Sequence, residues 1–428
     1  MKQKKIFQFS SLVLILFALF SFFYGFYMDE IPMGSGGHGG DFKFVKKSIQ
    51  IFSSNSLVES ILLFSDSSNR PPLIYILHKI FNPFFSDEIN FRRVIFFISL
   101  NLPILFFLCL KEKFKKTDNI LLALLSSTIL LNPFVRNSSF WGLEENYSII
   151  TSLISLLFLL KLQNFPKIDQ IGLYFKIFIL LLFSSLCVYF DQKFVIIPLI
   201  CFLKIITDNY SIKIKIFTVI LYIVFSIPYL FLIKMWGGIF PTNNYHIGEQ
   251  FYPHHFGFAL TMIAFIFFPF TFFDKKNLRN RIFNFIIRQK KLYLSLIIVL
   301  SYIFFFSFVQ NNYFFFDKLD GGGIIKKISF IFFDDLIVRK IFIAAFIFIS
   351  WFYVTFVLNN KLNNYLLTLY FLSFSVITKP FYQEYYDPII FFLLFFVYKI
   401  NFNINYKNSS FFYLFFLIFL IGTNYYYN

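Results

Sequence analysis

Two adjacent carboxylic acids, Asp29 and Glu30, directly follow the first long apolar run of the chain. A carboxylate at the rim of a membrane loses part of its hydration and binds a proton more readily, as a general base must. The pair could therefore remove a proton from a substrate hydroxyl group. The alternative is that both residues are solvated and mark only the end of a helix.

A second group of residues could bind an anionic or hydroxylated substrate. Arg70 stands before two prolines at the start of an amphipathic stretch, and an arginine fixed in this way can hold a phosphate through two hydrogen bonds. A later polar segment carries Arg136 with a pair of glutamates, for which solvated rim charges are an equal interpretation. The further candidates in this group are Asp41, Tyr75, Glu144, Glu145, Lys193 and Lys379.

The histidines offer a metal site as a third candidate. His254 and His255 are adjacent and follow His246 and Glu249 within one segment. Imidazole and carboxylate groups bind divalent metals, but the spacing of these four residues is irregular for a zinc site. No cofactor is therefore certain from the sequence, and a divalent metal ion is a weak candidate.

These residues belong to a chain that is too apolar for a water-soluble fold. Of its 428 residues, 58% are hydrophobic and only 14% are charged, and the mean hydropathy is +0.70. Soluble domains carry roughly 25% charged residues. Apolar runs long enough to cross about 30 Å of hydrocarbon recur from Phe7 to the C-terminus. The composition predicts an all-α polytopic protein that forms one membrane domain over residues 1–428, with the lipid bilayer as its partner.

The placement of the basic residues predicts the orientation. The formal net charge is +17, and lysine and arginine collect in alternate short loops, which the positive-inside rule places in the cytoplasm. The N-terminus is cytoplasmic by the same rule, and the apolar run after it is too long for a cleavable signal peptide. No basic cluster lies on a soluble domain that could bind a nucleic-acid duplex, so no nucleic-acid partner is expected.

Apolar runs that alternate with basic loops predict about 13 transmembrane helices. The longest polar segment, residues 28–91, follows the first span and is predicted to lie outside. Its stretches 44–52 and 73–81 are amphipathic and predict helices that lie in the membrane interface. Later spans near residues 120–135 and 148–160 enclose a predicted outer loop that contains Arg136 and the two glutamates.

The chemistry is predicted on the non-cytoplasmic face. All five histidines and most acidic residues fall in predicted outer loops. The cytoplasmic loops are short and basic and offer no cradle for a nucleotide, so an enzyme that uses ATP or a nucleotide-sugar is disfavoured.

Several short motifs occur in an order that is typical of one superfamily. An aromatic-Met-Asp-Glu sequence at 27–30 is followed by Pro-Pro-Leu-Ile-Tyr at 71–75, and a later aromatic-acid pair opens a span. This order resembles the GT-C superfamily of membrane glycosyltransferases, and most of all its α-1,2-glucosyltransferases that use dolichyl-phosphate-glucose. The segment with His246 and Gln250 is similar to the mid-chain His/Gln/Tyr loop of that family. Residues 383–388 resemble its final Arg-Tyr-Tyr-x-x-Pro motif, but glutamine and glutamate stand where the family has arginine.

The resemblance implies a glycosyltransferase with a GT-C-like fold. Asp29, with Glu30 beside it, would be the catalytic base that activates an acceptor hydroxyl group, and the sugar would be transferred with inversion. The donor would be a sugar on a polyprenyl phosphate, and the acceptor a glycan or a lipid-linked saccharide. The leaving phosphate needs cationic stabilisation. The candidates for that role are Arg70, Arg136, Lys193 and Lys379, followed by His254 and His255.

Three alternatives remain at the level of the sequence. A transporter or flippase of lipid-linked saccharides would share the many spans, but it should carry ionisable residues within them. A polymerase or ligase of such saccharides would use outer arginines, which are few here. A structural membrane protein is the third alternative.

The compact chain and short loops favour a bacterial cytoplasmic membrane as the location of the protein.

Overall fold

The computed structural model describes residues 2–32, 37–68, 70–163, 171–238, 254–268, 296, 299–301, 323–357, 390–391, 393–397 and 406–427. These residues form helices joined by turns, and they include no strand. The prediction of an all-α chain is confirmed for these ranges.

Six helices of the described chain are long and apolar enough to cross a membrane. A helix satisfies its backbone hydrogen bonds within one segment, which the hydrocarbon of a bilayer requires. A bent pair of helices would be the seventh span if it is taken as one. The protein is thus an integral, multi-pass membrane protein, while the number of about 13 spans stays a prediction. The six helices are Lys4–Tyr27, Glu88–Lys113, Glu145–Gln163, Ile171–Phe190, Ile212–Trp236 and Leu336–Val354.

Two compact units make up the chain. The first comprises residues 1–244 together with 416–428, and the second comprises residues 245–415. Of the candidate residues within the described ranges, only His254 and His255 belong to the second unit. The single membrane domain expected from the sequence stays a prediction.

The first unit begins with a long helix and a polar segment of three short helices, namely α1 (Lys2–Tyr27), α2 (Asp41–Ser54), α3 (Leu57–Ser67) and α4 (Leu73–Phe81). The predicted stretches 44–52 and 73–81 are both helical, and the second coincides with α4. The apolar faces of the short helices meet in an aromatic core. Phe52 of α2 stacks on Tyr75 of α4 and meets Phe64 of α3 edge-on, with 5.7 Å between ring centroids in each case.

The second span consists of α5 (Glu88–Ser99) and α6 (Asn101–Lys113), which are separated only at Leu100. Asp87 caps its start, because the carboxylate accepts the backbone N–H of Ile89 at 2.9 Å and of Asn90 at 3.2 Å. Two lysines in the last turn face the negative end of the helix dipole. The predicted span at 94–110 lies within this pair.

The next segment is a bent pair rather than a straight span. It comprises α7 (Asn119–Ser127), a 3₁₀ turn (Thr128–Leu131) and α8 (Pro133–Trp141), and the bend is 61°. Asn132 breaks the helix and caps α8, because its side chain accepts the N–H of Phe134 at 2.9 Å. The expectation that Arg136 lies in an outer loop is therefore wrong. Asn132 and the following proline, which suits the first position of a helix, start a new helix in which Arg136 is buried.

Four further helices complete the described chain of the first unit up to Gly238, and they are α9 (Glu145–Gln163), α10 (Ile171–Phe190), α11 (Ile196–Thr207) and α12 (Ile212–Trp236). Pro228 lies inside α12, where proline disturbs the hydrogen-bond ladder. The Tyr189 hydroxyl of α10 enters the ladder there, since it accepts the N–H of Tyr229 at 3.1 Å and donates to the carbonyl of Phe225.

The described residues of the second unit form α13 (His254–Phe267), α14 (Gly323–Phe332), α15 (Leu336–Val357), a π-helical turn (Leu393–Val397) and the first part of α16 (Tyr406–Tyr427). The Tyr353 hydroxyl of α15 donates to the carbonyl of Phe267 at 2.9 Å and joins α15 to α13. Asp335 caps α15 by accepting the N–H of Val338 at 2.9 Å. The last residues of α16 belong to the first unit.

Replacing Phe52 with alanine should destabilise the polar segment of the first unit. The ring is fully buried between Phe64 and Tyr75, so its removal leaves a cavity and should cost about 3–5 kcal/mol. Phe44→Ala on the same helix is the control, because that ring is 67% exposed. Denaturant unfolding of the purified protein measures both, and equal free energies of unfolding would contradict the packing described.

Candidate functional site

The short helix α8 carries four consecutive polar residues and is wholly buried. All nine of its residues are buried, including Arg136, Asn137 and Ser138. A buried polar group costs free energy unless it is hydrogen-bonded, so each of these side chains needs a partner within the protein. At 1.5 Å per residue α8 is only about 13 Å long, so those partners collect in a small region.

Arg136 is held by acceptors on every side. Its Nε donates to Oε1 of Glu30 at 3.2 Å, and its Nη2 donates to Oε2 of the same carboxylate. The hydroxyl and carbonyl of Ser21 lie at 3.3 and 3.0 Å, and the carbonyl of Leu130 lies at 3.3 Å. These contacts use all five N–H groups of the guanidinium. A substrate phosphate could bind Arg136 only by displacing one of them, and its predicted role in substrate binding stays a prediction.

Glu30 is fixed by further contacts besides Arg136. Asn424 of α16 donates to Oε1 at 2.9 Å, and the indole N–H of Trp141 donates to the backbone carbonyl of Glu30 at 3.1 Å. The ion pair also requires glycine at position 25. A Cβ atom on Gly25 would collide with Nη2 of Arg136 and Oε2 of Glu30. Glu30 is therefore a brace between α1, α8 and the C-terminal helix.

Asp29 ends α1 in a backbone conformation that side chains seldom adopt. Its φ is 48°, and within the described ranges every other residue with positive φ is a glycine. The N–H of Glu30 bonds to the carbonyl of Gly25 at 2.9 Å, and the N–H of Asp29 bonds to that of Phe26 at 3.3 Å. This is the Schellman pattern, which usually has glycine in the position of Asp29. The side chain is 62% exposed, so the carboxylate points away from the core.

Arg92 of α5 is a site residue that the sequence patterns do not predict. Its Nη2 lies 2.7 Å from Oδ1 of Asp29, and its guanidinium lies 4.3 Å from the centre of the Trp141 ring. The sequence contains only a weak signal for Arg92. An arginine at the edge of an apolar span needs a partner, but the sequence does not show which acid supplies it.

Five charged side chains form a second group, the ion cluster, and they are Arg70, Glu144, Glu145, Asp191 and Lys193. Nη1 of Arg70 pairs with Glu144 and lies 3.2 Å from Oε1 of Glu145. Nζ of Lys193 lies 3.8 Å from the same Glu145 oxygen and 3.1 Å from Oδ2 of Asp191. All but Arg70 are largely buried, so the alternative interpretation of the two glutamates as rim charges is wrong.

Asp41 and Tyr75 lie beside the ion cluster. Oδ2 of Asp41 accepts a hydrogen bond from Nδ2 of Asn137 at 2.9 Å, and burial raises the pKa of the Asp41 carboxyl despite the charge of Arg70. Burial, together with the negative charge of Glu144, also raises the pKa of Tyr75. The predicted residues Asp41, Arg70, Tyr75, Glu144, Glu145 and Lys193 are thus gathered in one region.

The ion cluster and the Asp29–Arg92 pair are linked through consecutive residues of α2. Asp41 binds Asn137, while the ring of Phe42 lies 5.1 Å from the Arg92 guanidinium. On α8, Ser138 donates to Oε2 of Glu145 at 2.9 Å, and the carbonyl of Phe140 accepts the Nε of Arg92 at 2.6 Å. The two groups therefore attach to the same two helices within a few residues.

Glu144 is the carboxyl group of the ion cluster whose pKa departs most clearly from its ordinary value. Burial raises the pKa of Glu144 to about 8, with the neighbouring charge of Glu145 acting in the same direction and Arg70 acting against both. The Glu144 carboxyl therefore binds a proton more readily than an exposed glutamate does.

Three predicted site residues, His246, Gln250 and Lys379, lie outside the described residues. His254 and His255 begin α13 in the second unit, and His255 is buried. Among the residues that the structure describes, no group of three or more His, Cys, Asp or Glu side chains is arranged to hold a metal ion.

No family model, curated protein or solved structure matches this chain.

Replacing Gly25 with alanine should destabilise the first unit. The new methyl group would meet the buried Arg136–Glu30 pair, and breaking such a pair typically costs about 3–5 kcal/mol. Gly172→Ala is the matched control, because a Cβ there meets no atom within 4 Å. Thermal unfolding of both purified variants tests this, and a Gly25→Ala protein as stable as the control would contradict the close approach.

The stability of the protein should fall as pH rises through the titration of Glu144. Because the folded pKa of about 8 is above the ordinary value of 4.5, the folded state binds the proton more tightly. This contribution is complete below pH 4.5 and is lost as pH rises through about 8. Glu144→Gln cannot titrate, so its free energy of unfolding should depend less on pH between 6 and 9. Parallel curves for the two proteins would refute the assignment.

Proposed function

We propose that the protein is an integral membrane glycosyltransferase with a GT-C-like fold. It moves a sugar from a polyprenyl-phosphate donor to a hydroxyl group of a glycan or lipid-linked acceptor, with inversion. The reaction takes place on the non-cytoplasmic face of a bacterial cytoplasmic membrane, with the N-terminus of the chain in the cytoplasm. A lipid-borne donor reaches such a site by moving laterally within the bilayer, so no nucleotide-binding domain is needed.

The observation that carries the proposal is the carboxylate of Asp29 at the end of the first membrane helix. One of its oxygens is held by Arg92, the side chain is 62% exposed, and Oδ2 has no partner among the described residues. A general base needs this combination of a fixed position and an open oxygen. Its place at the end of a span is where a hydroxyl group from the aqueous side and a sugar on a membrane lipid can meet.

In the proposed step, the acceptor oxygen forms a bond to the anomeric carbon of the sugar, and its proton passes to Oδ2 of Asp29. The bond between the anomeric carbon and the phosphate oxygen breaks, and both electrons leave with the polyprenyl phosphate. A cation near that oxygen stabilises the charge that develops.

Arg70 is the cation of the ion cluster best placed to meet the leaving phosphate. Its side chain is 42% exposed, whereas that of Lys193 is only 9% exposed. Its Nη1 pairs with Glu144 and Glu145, while part of the side chain stays accessible to solvent. A planar guanidinium can bind two phosphate oxygens at once.

A transporter of lipid-linked saccharides is the second candidate, and one observation favours it. The 61° bend between α7 and α8 places a charged residue, Arg136, in the interior of a broken helix pair. Discontinuous helices with polar contacts are common in transporters. The five internal hydrogen bonds of Arg136 argue for a fixed brace instead.

Asp29→Asn should lower the rate of sugar transfer by at least about 100-fold, because the loss of a general base typically costs that much. Purified protein is incubated with polyprenyl-phosphate sugars and candidate acceptors, and release of polyprenyl phosphate is followed. Glu59→Gln is the matched control, since Glu59 is an exposed carboxylate in the same polar segment. Its rate should equal that of the wild type.

Two outcomes would contradict the proposal. Full transfer by Asp29→Asn would remove Asp29 from the reaction. A wild-type protein that releases no polyprenyl phosphate but moves labelled lipid-linked saccharide across vesicle membranes would be a transporter.

A further inference from the structure

We propose that Arg92 is a positioning residue that sets the direction of the Asp29 carboxylate toward the acceptor hydroxyl group. This inference rests on the proposed function and extends it to a residue that neither the motifs nor the resemblance indicates. It follows from three features, namely how Arg92 is fixed, how Asp29 is exposed, and how little the contact between them can contribute to folding.

Arg92 is immobilised from several directions. Its Nε donates to the carbonyl of Phe140 at 2.6 Å. Its guanidinium lies 4.3 Å from the ring centre of Trp141, 5.1 Å from that of Phe42 and 5.4 Å from that of Phe26. Cations bind the faces of aromatic rings at such distances. Three aromatic rings on α1, α2 and α8 therefore surround a guanidinium from α5, and its Nη2 is left in one defined place.

The fixed Nη2 of Arg92 donates a hydrogen bond to Asp29, whose side chain is mostly exposed. The distance from Nη2 to Oδ1 of Asp29 is 2.7 Å, and the aspartate side chain is 62% exposed. Ion pairs that involve an exposed group contribute little to stability. The left-handed φ of 48° at Asp29 also costs stability relative to glycine at the same position. Folding alone would favour glycine here, so the aspartate is better explained by what its carboxylate does.

The chemical consequence is a carboxylate with two different oxygens. Oδ1 accepts the hydrogen bond from Arg92, which leaves Oδ2 to accept the proton of the acceptor hydroxyl group. Rotation of the carboxylate is limited because Oδ1 would have to leave Nη2. A base held in this way loses little orientational freedom when the acceptor binds.

The competing explanation is that Arg92 only braces α1, α2, α5 and α8. The experiment that separates the two explanations measures whether Arg92 acts through Asp29. Sugar transfer is followed by polyprenyl-phosphate release for the wild type, Arg92→Gln, Asp29→Asn and the double variant. Arg93→Gln is the matched control, because Arg93 is the next residue on α5, is exposed, and contacts Asn90 at 3.1 Å.

If Arg92 positions the base, Arg92→Gln should lower kcat by about 100-fold with little change in the KM for the donor. In the Asp29→Asn background the same change should have almost no further effect, because residues that act as a unit are not additive. Arg93→Gln should retain the wild-type rate. Arg92→Lys keeps the charge but loses the planar stacking and the Nε hydrogen bond, so its kcat should fall between those of the wild type and Arg92→Gln.

The inference and the proposed function fail in different ways. An inactive wild type would remove the proposed function itself. An active wild type with a strongly impaired but measurable Asp29→Asn variant, and with multiplicative losses in the double variant, would make Arg92 a brace only. Thermal unfolding of each variant identifies misfolding, and if Arg92→Gln does not fold, the same cycle is carried out with Arg92→Lys.

Discussion

The buried charge of Arg136 is the constraint on which the structure of the first unit depends. Removing an arginine from water costs several kcal/mol, and the cost is offset only when an opposite charge and hydrogen bonds surround it. Glu30 supplies the charge, while Ser21 and Leu130 supply neutral acceptors. Because Glu30 is held in this way, the residue before it is also held at the end of α1. The backbone that carries the exposed Asp29 carboxylate is therefore held in place.

Helix α8 is connected to the surrounding helices by hydrogen bonds from its buried polar side chains. Successive residues of a helix project about 100° apart, so three neighbours face three different directions. Arg136 reaches the end of α1, Asn137 reaches Asp41 at the start of α2, and Ser138 reaches Glu145 at the start of α9. Through these three side chains, one buried helix connects the end of α1, next to Asp29, to the ion cluster. The two groups are therefore held in fixed positions relative to each other.

Local patterns predicted the elements better than the contacts between them. The amphipathic stretch at 73–81 coincides with α4, since apolar spacing along nine residues is a local property. The patterns also selected residues that lie together, such as Arg70 with Glu144. They failed at Arg136, because the length of an apolar run does not reveal where Asn132 bends it. They did not indicate Arg92, whose aromatic neighbours come from α1, α2 and α8.

The sequence by itself determined that this is a helical membrane protein, that an acidic pair follows its first span, and that the polar segment after it folds into amphipathic helices. Composition and periodicity are sufficient for these conclusions because they act within one segment at a time. Only the tertiary structure decided which charges pair. Glu30 and Arg136 are 106 positions apart, Arg70 and Glu144 are 74 apart, and Asp29 and Arg92 are 63 apart. Their pairing depends on which helix faces pack together, and desolvation then allows only those charges that meet a partner to remain inside.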